Sequence, residues 1–140
     1  MNSSPPFHLA LPVLNLGDAR QFYCGVLGCS EGRSAPRWID FNFFGHQLSV
    51  HLHPDALAGD HTNAVDGDNV PVRHFGVVLP WSTWEALVER LTVSATDFQI
   101  APRVRFAGKS GEQGTFFITD PSGNALEFKS FRDINQLFAK

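Results

Sequence analysis

The stretch TDPSGNALEF, residues 119–128, joins a turn to a strand that carries a glutamate. The letters DPSG at 120–123 are strong turn chemistry, because proline fixes φ and glycine tolerates φ > 0. The alternation that follows predicts a strand. Glu127 stands between Leu126 and Phe128, so its carboxylate faces either water or a site on the sheet surface opposite the core.

The composition sets limits on what the chain can be. With 140 residues, of which 43% are hydrophobic, it is sized for one compact domain with a sizeable core. The formal net charge is −3, and the eleven Lys and Arg form no basic run, so nucleic acid is not an expected partner. The apolar start FHLALPVL is too short for a bilayer and has no basic leader, which predicts a soluble, cytoplasmic protein without a membrane partner.

Strand and helix patterns occur in the same order in both halves. In the first half, a strand, a helix and two further strands are predicted at 7–13, 15–28, 37–44 and 46–52. In the second half, a strand, a helix and three strands are predicted at 72–79, 81–91, 100–106, 114–119 and 124–131. We interpret this order as βαβββ twice, an α+β fold built by internal duplication.

The predicted boundaries follow from that order. A single domain over residues 1–140 contains module one at about 5–54, a surface loop at 55–70 and module two at about 71–131.

The two copies match at individual positions. His8 lies two residues before Ala10, and His74 lies two residues before Gly76, so each histidine shares a strand face with a very small residue. Aligning the last hairpin of each copy on Gly45 and Gly123 places Ser49 at the position of Glu127.

These features together resemble the vicinal oxygen chelate superfamily of glyoxalases, bleomycin-resistance proteins and type I extradiol dioxygenases. The residues that carry the resemblance are His8, the helix text FYCGVLG, His74 and DPSGNALE. The resemblance implies that the two modules curl into a cup-like mixed sheet. It also implies a divalent metal inside the cup, held by His8, His74 and Glu127.

Two histidines and one carboxylate are the donor set associated with non-haem Fe(II), so Fe(II) is favoured, with Mn(II), Zn(II) or Ni(II) as alternatives.

Glyoxalase I relatives commonly have a carboxylate at the position of Ser49. Its replacement by serine, a poor ligand, predicts three protein ligands and shifts the interpretation towards dioxygenase chemistry. Ring-cleaving members usually have a tyrosine at the position of Phe117, which puts ordinary catechol cleavage in doubt. Ser49 and Phe117 are therefore predicted to contact substrate.

His51 is a candidate catalytic residue that the resemblance does not require. Gln47, Ser49, His51 and His53 share one strand face, which is expected to look into the cup if Ser49 does. Since Phe117 cannot move protons, the imidazole of His51 is predicted to act as acid or base. The alternatives are that His51 is a fourth ligand, or that it is an exposed histidine without a role.

The function predicted is that of a metal-dependent, dioxygenase-like enzyme whose small substrate chelates the metal through vicinal oxygens. One alternative is glyoxalase-type lyase or isomerase chemistry. Another is a non-catalytic cup that binds a drug or metabolite. Sheet edges invite pairing, and relatives are commonly two-fold dimers, so a homodimer is expected.

Overall fold

A computed structural model describes residues 4–55, 62–65 and 67–140. The chain divides into two compact units. Unit one consists of Met1–Ala58 together with Asp120–Gly123, and unit two consists of Gly59–Thr119 and Asn124–Lys140. Each unit contains one predicted module, while the DPSG turn belongs to unit one.

Unit one is built on a four-stranded mixed sheet. Its elements are β1 (His8–Val13), α1 (Leu16–Arg20), a π-helical continuation (Gln21–Val26), β2 (Ser30–Ala35), β3 (Trp38–Phe43) and β4 (His46–Leu52). The strand order is β1-β4-β3-β2, with β1 parallel to β4 and the other pairs antiparallel. Asn15 caps α1, since its side-chain oxygen accepts from the backbone N–H of Asp18 at 2.8 Å.

Unit two contains a second sheet with the same topology. Its elements are β5 (Thr62–Val65), β6 (Asp68–Pro71), β7 (His74–Val78), α2 (Trp81–Val93), β8 (Ile100–Arg105), β9 (Gln113–Thr119), β10 (Ala125–Phe131) and a 3₁₀ turn (Ile134–Gln136). The main sheet has the order β7-β10-β9-β8, and β7 is parallel to β10. Among the described residues, no helix is long and apolar enough to cross a membrane.

The predicted α+β fold of two βαβββ modules is confirmed, with two local differences. The sequence patterns did not locate β2, because SEGRSA has no apolar alternation and forms an edge strand. The predicted loop at 55–70 contains the hairpin β5–β6, whose turn includes Gly67 at φ 85°. Residues 56–61 and 66 of that loop lie outside the described residues.

Aromatic side chains dominate the core of each unit. In unit one, Tyr23 is fully buried against Phe41, with ring centroids 5.1 Å apart, and its hydroxyl donates to the carboxylate of Asp120 at 2.8 Å. In unit two, Phe116 and Phe128 stack at 5.3 Å, and the indole N–H of Trp84 donates to the Phe128 carbonyl at 3.0 Å. These contacts fix the strands on which the candidate site is built.

Candidate functional site

His74 and Glu127 meet on one face of the unit-two sheet. β7 and β10 are parallel neighbours, with His74 opposite Ala125 and Glu127 opposite Gly76. The histidine is therefore two residues from the partner of Glu127 on the same face, and its Nε2 lies 3.2 Å from Oε1 of the carboxylate. Leu126 and Phe128 are buried on the opposite face of β10, and the carboxylate of Glu127 faces an imidazole rather than water alone.

The imidazole of His74 is fixed from two further sides. Its Nδ1 lies 2.6 Å from the carbonyl oxygen of Pro71. A carbonyl can only accept, so Nδ1 carries the proton and Nε2 is the nitrogen turned towards Glu127. Phe117 packs its ring edge-to-face on the imidazole at 5.0 Å between centroids. Phe117 is 3% exposed, and its contact with substrate stays a prediction.

Thr115 fixes the second carboxylate oxygen. Its hydroxyl donates to Oε2 of Glu127 at 2.5 Å, while Oε1 faces His74. Thr115 is buried on β9, and its register partner is Lys129, two residues beyond Glu127 on β10. Glu127 is therefore held at both oxygens, which leaves the carboxylate little freedom to rotate.

The contact between His74 and Glu127 shifts the pKa of both side chains. Burial alone raises the pKa of Glu127, but the hydrogen bonds from His74 and Thr115 outweigh it, and the pKa falls below its ordinary value. The hydrogen bond to Glu127 raises the pKa of His74 above its ordinary value, against the opposing effect of burial. Both shifts favour a charged pair when no other cation is present.

The backbone of the adjacent strand leaves no room for a side chain at Gly76. A Cβ at this position would overlap the carbonyl oxygen of Glu127 on the adjacent strand. The glycine therefore permits β7 to approach the backbone of β10 at the glutamate.

The strand register of unit one confirms the internal alignment. Ser49 is opposite Ala10 in the same way that Glu127 is opposite Gly76, and His8 is opposite Gln47. His8 lies at the exposed start of β1, in unit one. Ser49 is buried, and its hydroxyl donates to a carboxylate oxygen of Asp40 at 2.6 Å.

His51 lies on the predicted face of β4. It is exposed, two residues beyond Ser49, with Pro12 and Trp38 as its register partners. Counting from the aligned Ser49 and Glu127, the counterpart of His51 in unit two is Lys129. A catalytic role for His51 stays a prediction.

The family assignment follows from comparison with known proteins. The model of the Glyoxalase/Bleomycin resistance protein/Dioxygenase superfamily matches residues 6–128. The chain belongs to this superfamily. A solved protein of the superfamily from Alicyclobacillus acidocaldarius is 33% identical, with a TM-score of 0.79 and 98% of each chain covered. No curated protein matches the chain.

More distant superfamily structures support the fold alone. A fosfomycin resistance protein from Listeria monocytogenes is 16% identical, with a TM-score of 0.66, over 96% of this chain and 98% of that one. A lactoylglutathione lyase from Agrobacterium tumefaciens is also 16% identical, with a TM-score of 0.64 and 100% of each chain covered. One architecture therefore serves proteins named for different activities.

Superfamily members typically bind a divalent metal, and two residues of this chain suit one. Nε2 of His74 and Oε1 of Glu127 converge, while Nδ1 and Oε2 are held by outer partners, an arrangement typical of metal ligands. Within residues 4–55, 62–65 and 67–140, no group of three or more His, Cys, Asp and Glu side chains forms a metal-binding cluster. His8 as third ligand stays a prediction.

Thr115 hydrogen-bonds Glu127 in unit two, and Asp40 hydrogen-bonds Ser49 in unit one. Neither Thr115 nor Asp40 was predicted from the sequence. Counting back from the DPSG turn pairs residue 127 with residue 117, which places Thr115 diagonally next to Glu127 on the same face. The same count in the first hairpin pairs Asp40 with Ser49. Both were accessible from hairpin register, a signal that motif matching does not use.

Proposed function

We propose that this protein is a metal-dependent enzyme whose small substrate chelates the metal through two neighbouring oxygens. The observation that carries this proposal is the convergence of His74 and Glu127, 3.2 Å apart, on one sheet face. Two neighbouring strands present a nitrogen and an oxygen donor to one point, as a divalent cation requires.

The chain's own residues would organise the site. His74, Glu127 and His8 would hold the ion, with Fe(II) favoured and Mn(II), Zn(II) or Ni(II) as alternatives. Once bound, such an ion polarises substrate oxygens as a Lewis acid and, if it is iron, supplies redox chemistry with oxygen. Thr115 and the Pro71 carbonyl keep the donor atoms oriented, and Phe117 restrains the imidazole.

Dioxygenase-like chemistry is the class we favour. Ser49 occupies the position of a possible fourth ligand, and its hydroxyl is already donated to Asp40 at 2.6 Å. Three protein ligands leave coordination positions for both substrate and oxygen. His51 would move protons from the exposed end of the same strand face, with Ser49 beside it as a substrate contact.

Lyase or isomerase chemistry is the second candidate, and Phe117 is the observation that favours it. A buried phenylalanine stands where ring-cleaving relatives usually have a tyrosine, so no phenol is available to orient or protonate a ring substrate. In that case the site would stabilise an enediolate and consume no oxygen.

Anaerobic loading with Fe(II), followed by an oxygen-electrode screen of catechols and α-keto compounds, tests the proposal. Oxygen uptake that requires both Fe(II) and substrate is the expected result, with Glu127→Gln as the inactive comparison. Turnover without oxygen uptake, with Zn(II) or Ni(II) as effective as Fe(II), would favour the lyase. Ligand binding without metal and without turnover would identify a binding protein and reject both.

A further inference from the structure

Unit one has a buried carboxylate at the position that Phe117 occupies in unit two. Phe117 is opposite Glu127, and Asp40 is opposite Ser49, so Asp40 and Phe117 correspond under the internal alignment. Asp40 is 8% exposed. The duplicated plan therefore carries an aromatic ring in one copy and an acid in the other.

Two neutral side chains donate hydrogen bonds to the Asp40 carboxylate. Ser49 donates to Oδ1 at 2.6 Å, and Nε2 of Gln47 donates to Oδ2 at 3.3 Å. A carboxylate offers about four acceptor positions, so further donors can be accommodated. Arg33 stands 4.0 Å from Oδ2 on a side chain that is 84% exposed, which makes it a weak and easily displaced counter-ion.

Asp40 lines an open cavity in unit one. The cavity has a volume of about 360 Å³ and is bordered by Pro6, Gly32, Arg33, Asn42, His46 and Gln47, among others. That volume lies within the range of small-molecule sites. Because Gln47 donates its amide N–H to Asp40, its own carbonyl oxygen is left as an acceptor beside the carboxylate.

We infer that this cavity binds the positively charged amine or guanidinium group of a small molecule, with Asp40 as its anchor. The acceptors there, a carboxylate and an amide carbonyl, call for a ligand rich in N–H donors. A buried carboxylate without a close cation is costly, and a bound ammonium or guanidinium offsets that cost. The inference concerns unit one alone and does not depend on the proposed metal chemistry.

Isothermal titration and NMR of the full chain with agmatine, which carries both cationic groups, test this inference. Saturable binding at millimolar ligand is expected, with shifts in the side-chain amide signals of Gln47. Asp40→Asn keeps the shape and one acceptor oxygen but removes the charge, and should weaken binding about tenfold or more. Thermal unfolding checks that this variant is folded. If it is not, Gln47→Ala at an exposed position should still weaken binding.

Two further variants distinguish cation binding at Asp40 from anion binding at Arg33 and from the proposed metal site. Arg33→Ala should retain or strengthen agmatine binding, because it removes the competing cation. Glu127→Gln should bind agmatine normally, so failure of the metal proposal leaves this result unchanged. The inference is overturned if agmatine does not bind, or if Asp40→Asn binds it as well as the wild type. Binding of acetate that is lost in Arg33→Ala, without agmatine binding, would identify an anion site instead.

Discussion

Thr115 and Glu127 are joined across two antiparallel strands by a hydrogen bond of 2.5 Å between Oγ1 and Oε2. The same carboxylate faces Nε2 of His74 with its other oxygen. The threonine therefore holds Oε2 of Glu127 and leaves Oε1 directed at His74, where the metal is proposed to bind.

Thr115→Val should reduce metal affinity about 10- to 100-fold, the usual effect of losing a partner that orients a ligand. Valine keeps the shape but cannot donate to Oε2. Thr115→Ser restores the hydroxyl and should recover most of the affinity. Competition titration with a chelating dye measures both variants. Equal affinities for valine and serine would show that the hydroxyl does not position the glutamate.

His8, His74 and Glu127 are each expected to be required for full metal occupancy. Replacing any of them with alanine should strongly reduce the bound metal measured by elemental analysis, because a site with three protein ligands loses one third of them. His53→Ala, at the exposed residue that follows β4, is the matched control and should retain the metal. Full occupancy in Glu127→Ala would contradict the carboxylate assignment.

The stability of the metal-free protein should depend on pH through the same pair. The pKa of Glu127 is lowered from 4.5, so its contribution is present above about pH 4.5 and is lost as the pH falls through the lowered value. The pKa of His74 is raised from 6.5, so its contribution is complete below about pH 6.5 and is lost as the pH rises through the raised value.

Urea unfolding in EDTA, at about pH 5.5 and about pH 8.5, checks this expectation. The free energy of unfolding of the wild type should exceed that of Glu127→Gln by more at the lower pH, where His74 is protonated. A difference that grows towards pH 8.5 would contradict the ion pair.

His51→Gln should lower kcat by roughly 10²-fold or more while leaving metal occupancy largely intact, if His51 transfers protons. His53→Gln is the control, since it removes a second exposed histidine only two residues after His51. Steady-state kinetics and elemental analysis read the two effects separately. Unchanged kcat would remove the catalytic role, and lost metal would make His51 a ligand.

We predict a homodimer in solution. Within the two main sheets, the outermost strands are β1, β2, β7 and β8. Outermost strands favour further pairing, and Val104 on β8 is 43% exposed. Light scattering should give about twice the chain mass of 15.5 kDa, and a single species near 15.5 kDa at micromolar concentration would reject the dimer.

Much of the fold was predictable because its signals are local. The alternation around Glu127 and the helical spacing in α2 identify elements directly. The polar edge strand β2 lacked such a signal. The helix α2 begins at Trp81, as predicted, but continues to Val93, two residues beyond the predicted end at residue 91. Terminal residues of helices depend on neighbouring packing, which composition does not reveal.

The candidate site was predictable to the level of strand faces. The sequence placed His74 and Glu127 on matching faces, and the register confirms their proximity. It did not identify the hydrogen-bond partners, Thr115 and Asp40, because these depend on the hairpin register, which places Thr115 diagonal to Glu127 and Asp40 directly opposite Ser49. A family motif includes the proposed metal ligands but not the residues that hydrogen-bond to them.

The hydrogen bond between Tyr23 and Asp120 limits how independent the two halves are. Asp120 lies in the second half of the sequence, yet its carboxylate accepts a hydrogen bond from a fully buried phenol in the first half, and both residues belong to unit one. A fragment ending near residue 58 would leave this hydroxyl buried without its acceptor, at a cost of about 1–3 kcal/mol. The duplicated halves are therefore not interchangeable: unit one includes four residues of the second repeat, and one of them, Asp120, is buried there.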